Sequence, residues 1–289
     1  MIGVLIESKE WSDYALCENI EKMGVPAKTI DMQEDGNEAE IFSCGMIVSR
    51  IFASAVFRGH EKSLARMPGV IGGLMEKGIP MINPYEAHFY EISKERSTTA
   101  LARHGFTVPK VYGVFTPARI MQAAAVHYPC IVKPNCGGRT NYTFIVRDPA
   151  QLAHCMKDAP DIAFIAEEYI YPEYGYLTRI EVIDRSCRLI LKRSVTENGL
   201  SAYHLGSTYA AYDDCPSSVT DAAVRAMDLL RIEAGSMDII ENKSGFYIID
   251  INSVSNASQD NTEMFQFDLM KETAAYAVKR YRALQSAAP

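Results

Sequence analysis

The sequence predicts a mixed α/β and α+β protein, in which a small parallel-sheet unit gives way to antiparallel hairpins packed with helices. Three observations carry that reading. Over roughly the first 90 residues, short apolar runs alternate with helix-length segments, the pattern of crossover-connected parallel strands. Further on, strand-like runs follow one another across turns of a few residues, which joins neighbours antiparallel. Neither an internal repeat nor a low-complexity linker breaks the 289 residues.

In chain order, residues 2–6 read as a buried strand and 13–23 as a helix stopped by Gly24 before a short apolar stretch at 26–30. Residues 46–51 form the next strand, 64–77 a helix, and 79–83 a strand that Pro84 ends, completing a first unit over 1–90. A helix at 93–104 is followed by Gly105 and the extended segment FTVPKVYGVFT, punctuated by Pro109 and Pro117. A short helix is expected at 118–128, and CIVKPNCGGRTNYTFIV then reads as strand, glycine-containing turn and strand. With a helix at 150–157 and a strand at 163–169, these make a second region, 91–172. The third, 173–289, holds strands at 177–183 and 187–194 joined around 184–186, and a helix at 220–230. The hairpin GSMDII and GFYIIDIN, around ENKSG, and a helix from about 268 to 284 complete it.

Composition narrows the function. Acidic residues outnumber basic ones 36 to 29, giving a formal charge of -7 and no general attraction to phosphate backbones or anionic lipid. That disfavours a nucleic-acid binder. Seven cysteines, none in a CxxC pair, leave one unmatched in any disulfide scheme, so a reducing cytoplasm is the expected compartment. No secretory signal opens the chain, and no stretch approaches the roughly 18 apolar residues of a membrane span. The dinucleotide fingerprint GxGxxG and the phosphate loop GxxxxGK[ST] are both missing, which withdraws support from a Rossmann dehydrogenase and a P-loop NTPase.

The chemistry-bearing residues cluster late. Asp238, Asp250 and Asn252 lie on two adjacent hairpin strands, and oxygen donors of this kind suit Mg²⁺ or Mn²⁺ when substrate phosphates complete the shell. Asp250 and Asn252, two apart on a strand, share one face, while Ile249 and Ile251 are expected on the other. Lys94 and Lys133 are cations suited to phosphates, and Gly137 and Gly138 would let a loop approach a phosphate closely. Taken singly, each lysine or acid is more often a solvated charge or a backbone cap, and the glycine pair is equally the mark of a tight turn.

The ordered set is more specific. Lys94 before LARHGFTVP, IVKPNCGG, AEEYI, LTRIEVI, the pair KR at 192–193, GSMDII and IIDIN follow one another as in the ATP-grasp superfamily. The chain resembles the carboxylate-amine ligases of that superfamily related to ribosomal protein S6 modification and to lysine biosynthesis on an amino-group carrier protein. The resemblance spans nearly all of the chain and implies an ATP-grasp fold: a pre-ATP-grasp domain at 1–90, a central region with a small lid subdomain at 91–172, and a metal-bearing subdomain at 173–289.

The resemblance also implies roles. Lys94 and Lys133 would contact ATP phosphates beneath the loop carrying Gly137 and Gly138, and Glu167, Glu168, Tyr169 and Ile170 would form the adenine-binding hinge, with Glu173 near the nucleotide. Arg179 and Arg193 would line the reaction centre, and Asp238, Asp250 and Asn252 would hold Mg²⁺ or Mn²⁺. Several positions depart from the family pattern: Leu177 stands where an acid is usual, Asp250 where a glutamate is usual, and ENGLSAYHLGSTY replaces an arginine and asparagine, so that either His204 and Tyr203 replace those functions or substrate handling differs. NSVSNAS also lacks the usual proline and glycine.

The implied reaction makes an amide from a small carboxylate and an amine through an acyl phosphate, the acceptor being an amino acid, a peptide or a carrier protein. A small-molecule kinase that stops at phosphate transfer, and a noncatalytic nucleotide sensor or carrier-binding protein, are the rival readings. No nucleic-acid or membrane partner is expected, and a homo-oligomer is compatible with the resemblance. Cys136, in the expected phosphate loop, has no paired base nearby in sequence and reads as a packing residue rather than a nucleophile.

Overall fold

The computed structural model describes residues 1–287, so the last two positions of the 173–289 segment lie outside it. The chain begins with β1 (Ile2–Ile6), α1 (Trp11–Lys22), β2 (Ala27–Asp31), α2 (Glu38–Ile41), β3 (Met46–Arg50), α3 (Glu61–Glu76) and β4 (Met81–Ile82). The four strands form a parallel sheet in the order β2-β1-β3-β4. Alternation along β1 sends Ile2, Val4 and Ile6 to one face with Leu16 and Ile20 of α1. Leu5 goes to the other, with Met67, Ile71 and Leu74 of α3. Both faces are covered, which is why β1 and β3 read as nearly unbroken apolar runs.

Next come α4 (Tyr85–Glu91), α5 (Lys94–Arg103), β5 (Val111–Phe115), α6 (Pro117–Ile120), β6 (Cys130–Pro134), β7 (Phe144–Val146), α7 (Pro149–Met156) and β8 (Phe164–Glu168). The strands pair antiparallel in the order β5-β8-β6-β7, over a core that includes Val132, Leu152 and Phe164. Ser93 caps α5 by accepting the Arg96 N–H, and Asp148 caps α7 by accepting that of Gln151, with Pro149 in the first turn. The helix expected at 118–128 stops at Ile120. Ile120 and Val126 enter the same core, and the chain must then turn into β6, so packing overrides the helix propensity of three alanines.

The third sheet is built from β9 (Tyr176–Ile183), β10 (Ser186–Ser194), β11 (Tyr209–Ala211), α8 (Ser217–Leu229), β12 (Ala234–Asn242) and β13 (Gly245–Asn252), followed by α9 (Gln259–Phe265) and α10 (Leu269–Ser286). Its order is β11-β10-β9-β12-β13. One face buries Ile180, Met237, Ile239 and Ile248 against α8 and against Leu101 of α5. The opposite face carries Arg179, Asp238 and Asp250 and is left to form a cleft. Helix α10 does not stay with its own sheet: Ala274, Ala277 and Tyr281 complete the core under Val4 and Leu16. Among the described residues no helix is long and apolar enough to cross a membrane.

One irregularity corrects the sequence reading. Asp250 faces Asp238 across the β12–β13 hairpin and Ile248 faces Ile239, so Ile249 is an extra residue on β13. A bulge resets the alternation there. Ile249 therefore lines the cleft beside Asp250 and Asn252, while Ile251 alone packs on the helix side.

Candidate active site

The three sheets meet at a cleft of about 820 Å³, large enough for a nucleotide and a second small molecule. Its back wall is set by register. Arg179 on β9 stands opposite Asp238 on β12, which stands opposite Asp250 on β13, a row of charge across three strands, with Asn252 paired to Ser236 one step along. Asp238 gathers two guanidinium groups: Arg179 Nη1 donates to Oδ1 at 3.3 Å, and Arg193 Nη2 from β10 donates to Oδ2 at 2.8 Å. Arg179 also donates to Glu181 at 2.9 Å and to the Ser236 hydroxyl at 2.6 Å. Burial alone would raise the Asp238 carboxyl, but the two arginines outweigh it and hold it below the ordinary carboxylate range. Burial likewise works against the Arg179 cation, and Glu181 with Asp238 more than restores it.

Both lysines reach the same wall. Lys94, the first residue of α5, places Nζ 2.5 Å from Asp250 Oδ1. Burial opposes its charge, yet Asp250, Glu91 and Glu167 together raise it above the ordinary lysine value. Lys133 on β6 meets Glu167 Oε2 at 2.9 Å and donates to the Ile249 carbonyl at 3.1 Å, so the bulged residue offers its main chain as well as its side chain. Two carboxylates and an amide on one wall make an oxygen-only donor set, which fits Mg²⁺ or Mn²⁺ with phosphates completing the shell. Among the described residues no group of three His, Cys, Asp or Glu gathers that could hold an ion by itself.

The segment expected as the hinge begins within the last two residues of β8 and runs past its end. Glu167, Glu168, Tyr169 and Ile170 all line the cleft, and Ile170, Leu177 and Ile240 form an apolar cluster with Ile249 packed against it. Together they give that part of the cleft an apolar wall. Glu173 does not belong with them: its carboxylate accepts the Lys243 N–H at 2.8 Å, anchoring the turn between β12 and β13, and it does not line the cleft.

Gly137 and Gly138 lie in the loop between β6 and β7, which roofs the cleft. A side chain at Gly137 would lie 2.7 Å from the Phe57 ring, so this close approach to the first unit requires glycine. Arg139 bonds Glu10 at 3.0 Å, and the Thr140 hydroxyl lies 3.2 Å from His204 Nε2. His204 thus lines the cleft as a partner of the roof. Cys136 donates to the Ala53 carbonyl, and burial pushes its thiol up to about 11, which keeps it protonated at neutral pH and unsuited to nucleophilic attack.

Among the cleft residues not singled out from sequence are three acids that tie its walls together. Glu91, buried, accepts hydrogen bonds from the Ala53 N–H and from the Ser253 N–H and hydroxyl. Glu181 holds Arg179 and accepts from Ser255. Glu10 joins the first unit to the roof. Only Glu181 had a local signal, its place two residues after Arg179 on the same strand face.

A cleft where two antiparallel sheets meet, with two lysines drawn onto the same wall as an arginine-acid row, is the arrangement that the ATP-grasp resemblance implies. The RimK-like ATP-grasp domain model matches residues 92–276, more than half of the chain, and the chain belongs to that family. It is 32% identical over 142 residues to the D-alanine--D-alanine ligase of Pediococcus pentosaceus; the match spans 45% of this chain and only 40% of the relative's length. The D-alanine--D-alanine ligase of Bacillus anthracis complexed with ATP superposes with a TM-score of 0.71 at 15% identity over 98% of both chains. The ATP-grasp ligase PsnB, complexed with minimal precursor, Mg and ADP, superposes at 0.65 and 17% identity over 97% of each. These structures share the fold, and the family they represent uses ATP.

Proposed function

We propose that the protein is an ATP-dependent carboxylate-amine ligase, and that residues 1–90, 91–172 and 173–289 serve as its substrate-side, roof-bearing and metal-bearing units. The observation that carries this reading is the convergence of Lys94, Lys133, Arg179 and Arg193 on one cleft wall with Asp238 and Asp250 between them. ATP would convert a substrate carboxylate, itself a poor electrophile, into an acyl phosphate from which an amine displaces phosphate to leave an amide.

The residues divide that work. Lys94 and Lys133 present fixed positive charge to the phosphates, and the hinge 167–170 with Leu177 and Ile249 offers the base an apolar slot. Arg179 keeps two N–H donors and Arg193 three beyond their protein partners, enough to hold a carboxylate or a forming oxyanion beside Asp238. Asp238, Asp250 and Asn252 would hold Mg²⁺ or Mn²⁺, which supplies charge where the transferred phosphoryl group becomes more negative. Gly137, Gly138 and His204 close the roof and exclude water. The carboxylate is proposed to be small and the acceptor amine to belong to an amino acid, a peptide or a carrier protein.

The test is ADP and phosphate release with Mg²⁺ and ATP across a panel of carboxylates, with and without amines, with products identified by mass. Amine-dependent turnover yielding a condensation mass, abolished in Lys133→Ala and Asp250→Ala, is the expected result. A stable phosphorylated product without an amine requirement would identify a kinase, and nucleotide binding without any turnover would overturn the catalytic reading.

A further inference from the structure

Buried hydroxyls in folded proteins are almost always hydrogen-bonded, so an exception needs a reason. Nine serines among the described residues are buried. Eight of them have a protein partner for the hydroxyl: Ser12 takes Arg50, Ser63 the His60 carbonyl, Ser236 Arg179 and Ser255 Glu181, and the others are bonded likewise. The ninth, Ser54, is 7% exposed; its hydroxyl makes no hydrogen bond among the described residues, and its oxygen is not sealed from solvent but lies at the cleft surface.

Its position gives the reason. Ser54 lies in the short 3-10 turn after β3 and lines the cleft. Its Cβ is 3.4 Å from where a side chain on Gly138 would begin, so it stands directly beneath the roof. The neighbouring Ala53 is fastened on two sides, its N–H to Glu91 and its carbonyl to the Cys136 thiol. In the first unit the sheet order reverses between β1 and β3, and the crevice beyond the carboxyl ends of two such strands is where open α/β sheets present ligands. A hydroxyl donor with no protein partner at that crevice, under the roof and in the same cleft as Lys94 and the arginine row, is placed for an anionic oxygen.

We propose that Ser54 is a substrate-contacting residue, whose hydroxyl donates a hydrogen bond to the carboxylate that becomes activated and so fixes it for phosphoryl transfer. This rests on the ligase reading above, and it makes the first unit a direct contributor to the reaction centre rather than a support. Removing such a bond to a charged group should lower kcat/KM for the carboxylate by about 10- to 100-fold. Because Ser54 has no protein partner to lose, Ser54→Ala should keep the wild-type Tm.

The experiment compares wild type, Ser54→Ala and Ser63→Ala, the last removing a buried serine hydroxyl bonded away from the cleft. Carboxylate-dependent ADP release, the ADP dissociation constant and Tm are measured for each. The expected result is a loss confined to carboxylate kcat/KM in Ser54→Ala, with ADP affinity and Tm unchanged, and a change in Tm alone for Ser63→Ala. Unchanged carboxylate kinetics in Ser54→Ala would overturn the proposal, and weakened ADP binding would overturn it in favour of a phosphate contact. If the wild type itself shows no carboxylate-dependent ADP release, the ligase reading fails first, and the two failures are distinct.

Discussion

Lys133 and Glu167 show how one pair can serve folding and chemistry in separable ways. Glu167 is 1% exposed, and removing its lysine leaves a buried, uncompensated carboxylate. Lys133→Met should therefore destabilise the protein by about 3–5 kcal/mol as well as stop turnover. Adding Glu167→Gln neutralises the stranded charge, so the double variant should regain most of the stability, read by urea unfolding, and none of the ADP release. Recovery of both, or of neither, would contradict the division of labour described. The lysine was legible from IVKPNCGG, but its partner's buried side chain was not: AEEYI marks a hinge by resemblance and says nothing about which acid turns inward.

Among the elements, α4 carries a titration that the site does not use. His88 is buried on it, and burial lowers its imidazole to about 4. A folded value below the unfolded one, near 6.5, means that the unfolded chain binds a proton which the folded chain refuses. Stability should fall as pH drops below about 6.5, by roughly 2 kcal/mol at pH 5, and level off below about 4. His88→Phe should flatten that slope in thermal unfolding followed from pH 7 to pH 4. The roof loop has its own test: Gly137→Ala must push Phe57 aside, and turnover should fall by about tenfold or more while the fold survives.

The longer helices and most strands of four or more residues were legible from period and punctuation, apart from their exact ends, while β2 and β5 read only as an apolar and an extended stretch. What escaped were α2, α4 and α9, of four to seven residues, and the three-residue β11, because a segment of one or two turns has no periodicity to read. The bulge at Ile249 escaped for a related reason. Its extra residue is defined only by the partner strand, and GFYIIDIN read alone predicts unbroken alternation.

Across the whole molecule, segments that are contiguous in sequence do not pack as separate bodies. Helix α10 completes the core of the first sheet, and Ile183 and Ala234 from the third sheet enter the same core. Asn83, just past β4, donates to the carbonyls of Ala234 and Ser253 and accepts from the N–H groups of Glu233 and Ala234. The first and third sheets should thus unfold together. Tyr281→Ala in α10 removes a buried ring and should lower stability by about 3–5 kcal/mol, with a single urea transition shifted rather than split in two. Two resolved transitions would show that the sheets are energetically independent.

The roof, finally, bears on time as well as on shape. Its loop is tied on one side to Glu10 of the first sheet's unit and on the other to His204 of the third's, so swinging the loop away from the cleft would break both ties. Opening of this kind is slow compared with the making and breaking of bonds in a closed site, and in many enzymes it sets the pace of the cycle. The molecule's clock would then be friction against solvent rather than bond chemistry, and thickening the medium with sucrose would slow it in proportion.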